Sequence, residues 1–173
     1  MKSSQPTVRI LRPARSWFIV LSLLAALLLN LLPVRQWLVM PDWVMLALCF
    51  WSMREWRVFG MGYAFLLGLL MDVANGAALG QHALVYVLLH YAAASLSRRI
   101  LQFPLTQQAL HVLPLFLGVT GIQIVVRLMA GGGFPGWGEF ISPFVAALLW
   151  APVAFLLIAP QYRPEERDDT RPI

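Results

Sequence analysis

The sequence predicts an all-α membrane protein, a polytopic bundle of about six short transmembrane helices with both termini in the cytoplasm. Its composition is the first reason: 60% of the 173 residues are hydrophobic, only 12% are charged, and the mean hydropathy is +0.71. Such a chain has too little polar surface to enclose a water-soluble core. The second reason is a series of six apolar stretches, and the third is the placement of the arginines between them.

The apolar stretches have lengths suited to membrane helices, because the hydrocarbon layer takes roughly 20 residues, with a range of about 17 to 25. A closed β-barrel is the other structure that can span a membrane, and it requires short strands of alternating apolar and polar residues. Runs such as residues 21–29 do not alternate. The predicted spans are 17–33, 37–53, 58–74, 82–97, 105–129 and 139–159.

The basic residues gather in alternate gaps, which predicts orientation because positive charges near span ends are retained in the cytoplasm. Only Arg35 and Arg127 fall at the opposite ends, and the gap 72–81 has no Lys or Arg. The net charge of +5 therefore indicates topology and attraction to anionic lipids, not nucleic-acid binding. The other basic residues are Lys2, Arg9, Arg12, Arg15, Arg54, Arg57, Arg98, Arg99, Arg163, Arg167 and Arg171.

Short gaps predict a single membrane domain over residues 17–159, with a mobile basic tail at 1–16 and a mobile tail at 160–173, both cytoplasmic. The first span is followed by residues 30–35, NLLPVR, which lack the small residues of a signal-peptidase site. We therefore expect it to remain uncleaved. Cys49 is the one cysteine, so a disulfide framework or a cysteine metal site within the chain is excluded.

The second span is interrupted by Pro41, Asp42 and Trp43, and Asp42 is placed to cap the helix that follows. From Trp43 to Met53 that helix rises only about 16 Å, roughly half of the hydrocarbon layer. The sequence leaves open whether residues 37–53 cross fully or re-enter. It also leaves open whether Asp42 is a cap at the outer interface or a functional carboxylate in a pocket.

Small residues spaced by four predict a face of the third span that a neighbouring helix backbone can approach closely. Asp72 ends this face, where a carboxylate either caps the next segment or meets a donor from a partner. The residues that follow the spacing are Gly60, Ala64, Gly68, Asp72, Gly76 and Gly80.

The fourth span places His82, Tyr86 and His90 on one helical face. The two histidines are about 12 Å apart along the axis, whereas zinc binds nitrogen at about 2.1 Å, so one ion cannot bind both. We expect interhelical hydrogen bonds instead, and no metal or cofactor. Arg127, in the fifth span, either extends outward to the interface or binds an anion.

No catalytic motif is present: the chain has no phosphate-binding glycine loop, HExxH or GxSxG, and no nucleophile and base at catalytic spacing. The sequence therefore favours a non-enzymatic protein over a lipid-modifying enzyme.

Four motifs in order resemble the MreD family of bacterial rod-shape-determining membrane proteins. They are PDWVML at 41–46, GLLMD at 68–72, GAALG at 76–80 and QQAL at 107–110. The resemblance covers roughly residues 17–159. It implies a multi-pass subunit of the bacterial inner membrane, within the elongasome that couples cell shape to peptidoglycan synthesis. It also implies a fold like that of the substrate-binding subunits of energy-coupling-factor transporters.

The partners implied by the resemblance are MreC, the actin-like MreB, the glycosyltransferase RodA and an elongation-specific transpeptidase. We therefore expect a scaffold that presents two surfaces to other helices, the break at Pro41 to Trp43 and the face of Gly60, Ala64 and Gly68. The alternative is a transporter subunit that binds a small molecule near the outer leaflet. That alternative uses the polar residues predicted on the outer side, namely Asp42, Asp72, His82 and Arg127.

Overall fold

The computed structural model describes residues 15–32, 40–57 and 60–161, and these residues form six α-helices and no strand. The all-α prediction is confirmed. Most of both predicted tails, and Arg35, lie outside the described residues. The helices are α1 Ser16–Leu31, α2 Trp43–Arg54, α3 Met61–Asn75, α4 Gln81–Ile100, α5 Leu105–Met129 and α6 Ser142–Ile158, with short 3-10 helices at Trp137–Phe140 and Ala159–Gln161.

Helix α2 lies at the centre of the bundle. Residues 44–53 are all buried, and the helix packs against α1, α4 and α6. A helix that is apolar on all sides belongs in an interior, where each face meets a neighbour. Its 12 residues rise about 18 Å, so α2 is a short core helix enclosed by longer ones.

Hydrogen bonds join the ends of several helices at one end of the bundle. Asn30 near the end of α1 bonds to Asp42 at the start of α2, and Asp72 near the end of α3 bonds to His82 at the start of α4. Ser142, which begins α6, donates to the carbonyl of Met40 at 3.3 Å. The ends that the sequence places outside therefore meet at one end of the bundle.

Only part of the bundle meets the usual length and hydropathy of a membrane span. Within the described residues, two helical stretches do so: α5, and Trp137–Gln161, which contains α6. Helices α1, α2 and α3 are apolar but shorter. That all six helices form a six-span topology stays a prediction.

Gly68 brings α3 and α4 into backbone contact. A Cβ atom at this position would lie 2.2 Å from Ala83 Cα and 2.4 Å from its amide nitrogen, so only glycine fits. Ala64, one turn earlier, is fully buried. Both residues are buried within the chain, so this face packs helices of the bundle together. That the face also binds a partner stays a prediction.

The other small residues of the predicted face lie in different surroundings. Gly60 precedes α3, and a Cβ there would meet no atom within 4 Å. Gly76 and Gly80 lie in the turn from α3 to α4, with φ of 60° and 97°. Those left-handed angles favour glycine. Gly76 and Gly80 are therefore explained by the geometry of the turn and not by close packing of a helix face.

Replacing Gly68 with alanine should destabilise the fold because the added methyl group overlaps the α4 backbone. We expect a loss of about 1–3 kcal/mol in the free energy of unfolding, measured in mixed detergent micelles. Gly62→Ala is the matched control, since it lies in the same helix and its Cβ would meet open space. Equal stability of the two variants would contradict the α3–α4 contact.

Candidate functional site

Two carboxylates are buried at the end of the bundle where the helices meet. Asp42 is 8% exposed and Asp72 is 0% exposed. Burying a charged group among apolar side chains is costly unless hydrogen bonds compensate for the lost water. Each carboxylate therefore requires hydrogen-bond donors from the protein close to its oxygens.

Asp42 joins three helices. Its Oδ1 accepts from the Met45 amide at 2.9 Å, which caps α2, and from Asn30 Nδ2 at 2.7 Å. Its Oδ2 accepts from the Tyr86 hydroxyl at 2.7 Å. Asn30 also accepts from the Trp43 amide at 2.9 Å, which fixes the start of α2 against α1. The predicted cap is confirmed, and the carboxylate that forms it lies inside the protein.

Asp72 holds the turn between α3 and α4. Its Oδ2 accepts from the Gly80 amide at 2.8 Å, and its Oδ1 accepts from the His82 amide at 2.7 Å. The same Oδ1 accepts from His82 Nδ1 at 2.8 Å. Of the two roles considered for Asp72, the structure shows that it caps the following helix, α4, and orients a histidine there.

The histidine and tyrosine face of α4 bonds to other helices, as predicted. His82 Nε2 accepts from Gln123 Nε2 of α5 at 3.0 Å. His90 Nδ1 donates at 2.8 Å to the hydroxyl of Ser52 in α2, and that hydroxyl donates to the Leu48 carbonyl. Together with the bonds from Tyr86 to Asp42 and from His82 to Asp72, these contacts tie α4 to α2, α3 and α5. Among the described residues, no group of three or more His, Cys, Asp or Glu side chains could hold a metal ion.

A polar cleft of about 470 Å³, which we name the outer cleft, opens beside Asp72. The turn at 75–78 and the start of α4 form one wall, and the end of α5 with residues 130–132 forms the other. The side chains that carry its polar chemistry are Gln81, His82, Gln123, Arg127 and Glu139. Arg127 is exposed and lines this cleft, and both roles considered for it stay predictions.

The sequence-predicted polar residues fall into two connected places. Asp42, Asp72 and His82 belong to the buried hydrogen-bond network, while Arg127 lines the outer cleft that His82 also reaches. The Pro41 to Trp43 break is largely covered, since Pro41 is buried and Trp43 is half-buried. Sequence reasoning missed the roles of Asn30 and Gln81, although each is an uncharged polar residue at the end of an apolar helix.

These features define a class: a helical bundle with an apolar exterior, whose polar side chains are directed inward and toward one end, as in membrane-associated proteins. The chain belongs to the MreD family. Residues 12–159 match the family model described as rod shape-determining protein MreD. A rod shape-determining protein MreD from Haemophilus influenzae is 31% identical over 145 residues, covering 82% of this chain and 89% of that protein.

Family membership confirms the resemblance seen in the sequence and gives the chain a role in determining cell shape at the membrane. No solved structure matches the chain. The likeness to transporter subunits stays a prediction.

Replacing Asp42 with alanine should destabilise the bundle, because it removes the α2 cap and the acceptor for the Tyr86 hydroxyl and the Asn30 amide. We expect a loss of about 2–4 kcal/mol in the free energy of unfolding. Tyr86→Phe removes one of the three contacts and should cost about 1 kcal/mol. A larger loss for Tyr86→Phe than for Asp42→Ala would show that the carboxylate is not the centre of the network.

Proposed function

We propose that the chain is a non-enzymatic scaffold subunit of the cell-elongation complex in the bacterial inner membrane. In this role it binds MreC and helps couple MreB to RodA and the elongation-specific transpeptidase that build peptidoglycan. The observation that carries the proposal is membership of a family of rod shape-determining proteins.

The surface of the bundle supports a role in binding other helices or lipid. Large apolar side chains are exposed on the outward faces of its helices, for example Leu66 of α3, Leu110 of α5 and Leu148 of α6. Contiguous apolar surface of this kind marks protein or membrane contacts. These faces are accessible sites for MreC, whereas Ala64 and Gly68 are buried.

The interior supports a structural role. Asp42, Asp72, His82 and His90 each take part in hydrogen bonds that connect helices of this chain or cap them. Polar contacts of this kind stabilise the packing of membrane helices. A bundle fixed in this way can present its outer surface to partners in a constant shape.

The opposite end of the bundle supports contact with cytoplasmic components. Arg57, Arg98 and Arg99 are exposed there, and Arg54 is half-buried. In the predicted topology these guanidinium groups face the cytoplasm, where MreB acts. Basic residues at that boundary also attract anionic lipid headgroups.

MreC should copurify with the tagged full-length chain in gentle detergent, and cells lacking the chain should become round. Rod shape should return when the chain is expressed again, as judged by the length-to-width ratio under the microscope. A polytopic membrane protein outside the elongation machinery, with the same tag, is the control. Recovery of equal MreC with that control, or rods without the chain, would contradict the scaffold.

Cysteine labelling should place the two ends of α4 on opposite sides of the membrane. Cys49 is buried, so the native chain gives little background. An impermeant maleimide applied to spheroplasts should label Ala78→Cys strongly and Gln102→Cys only after permeabilisation, since both positions are exposed at opposite ends of α4. Labelling of Gln102→Cys in intact spheroplasts would overturn the predicted orientation.

The outer cleft favours a second candidate, a small-molecule-binding subunit of a transporter. Its volume falls within the range of about 300–1,000 Å³ that small ligands occupy, and several polar side chains converge on it. A soluble metabolite retained through purification, together with unchanged cell shape on loss of the chain, would favour this candidate over the scaffold.

A further inference from the structure

The outer cleft contains one cation, Arg127, whose stem lies against a glycine. Arg127 forms no ion pair among the described residues. The amide of Gly132 donates to the Arg127 carbonyl at 2.9 Å, and a Cβ at Gly132 would lie 2.8 Å from Arg127 Cγ. Gly131 has φ of 81°, which returns the chain over the end of α5. The stem of Arg127 therefore lies against Gly132, and its guanidinium lines the cleft.

A second polar side chain of the cleft is Gln81. The residue is 5% exposed, and its side chain forms no hydrogen bond among the described residues. Its amide atoms are not among the fully buried atoms without a partner, so they are accessible from the cleft, where a ligand can bond to them. Gln81 is thus an unused donor and acceptor directed at the same space as Arg127.

Gln123 and His82 complete the polar lining. Asp72 fixes the His82 ring through Nδ1, and Gln123 donates to its Nε2 at 3.0 Å. A primary amide has two N–H groups, so Gln123 keeps one further donor after this bond. The cleft therefore combines one guanidinium and one carboxylate, that of Glu139, with neutral hydrogen-bonding side chains, of which His82 and Gln123 are oriented by bonds within the chain.

The rim of the cleft is apolar. Three strongly exposed large side chains lie within two residues of a lining residue in the sequence. They are Leu79, Met129 and Trp137, with exposures of 75%, 84% and 79%. A polar cleft with an apolar rim suits a ligand that has a polar head and apolar chains.

We propose that the outer cleft binds a phosphate-bearing headgroup, with Arg127 as the charged contact and Gln81 and Gln123 donating to the remaining phosphate oxygens. A guanidinium fork matches two phosphate oxygens, and neutral amides can satisfy the others. This inference goes beyond the scaffold role and shares with it only the membrane location.

The test uses the purified full-length chain in detergent, without MreC, so the result does not depend on the scaffold proposal. Binding is measured by native mass spectrometry with three probes. Dioleoylphosphatidylglycerol carries phosphate and chains, dioleoylglycerol carries chains alone, and glycerol phosphate carries phosphate alone. We expect Arg127→Gln to bind phosphatidylglycerol roughly tenfold more weakly than the native chain, because a charge-assisted contact is lost. Arg127→Lys, which keeps the charge without the fork, should lie between them.

Location is checked with a photoactivatable phosphatidylglycerol, whose adducts should fall in peptides 75–82 and 123–139. Arg98→Gln, the same change at the opposite end of the bundle, should leave these adducts unchanged. If glycerol phosphate binds as tightly as the lipid and with the same dependence on Arg127, the phosphate site is supported and its ligand is a soluble phosphate compound, not a lipid. Equal binding of dioleoylglycerol, or undiminished phosphatidylglycerol binding by Arg127→Gln, would overturn the proposal.

Discussion

The structure depends on the requirement that two buried carboxylates obtain hydrogen bonds from protein donors. Asp42 and Asp72 each accept three, from backbone amides and from side chains of neighbouring elements. In apolar surroundings no water is at hand to replace a missing donor, so these bonds restrict how the helices can be arranged. The start of α2, the turn between α3 and α4, and the approach of α1 all follow from this requirement.

A short central helix is the second consequence. Asp42 caps α2 at the end of the bundle, and the 12 residues of this helix are enclosed by longer neighbours. An irregular start to a helix in apolar surroundings is tolerated only where protein covers it. The bundle thus uses α1, α4 and α6 to shield a segment too short to cross a bilayer alone.

Much of this arrangement could be predicted from the sequence. The apolar stretches located all six helices, the Pro41 to Trp43 break located the start of α2, and the spacing of His82, Tyr86 and His90 identified a face that bonds to other helices. Such features are local, since each depends on residues within a few turns. The helix that packs against Gly68 could not be predicted. The spacing of small residues shows that another helix can approach α3 closely, but it does not show which helix does so. Gln81 and Gly132 were likewise hidden, since their surroundings depend on how α3, α4 and α5 come together.

The two carboxylates differ in how far along the chain their donors lie, which bears on synthesis by the ribosome. All three bonds to Asp72 come from Gly80 and His82, within ten residues, so the α3–α4 hairpin can satisfy its own acid as soon as the start of α4 has been synthesised. Asp42 instead needs Tyr86, 44 residues later. Until α4 has been synthesised, Asp42 lacks one of the three donors that it has in the folded chain.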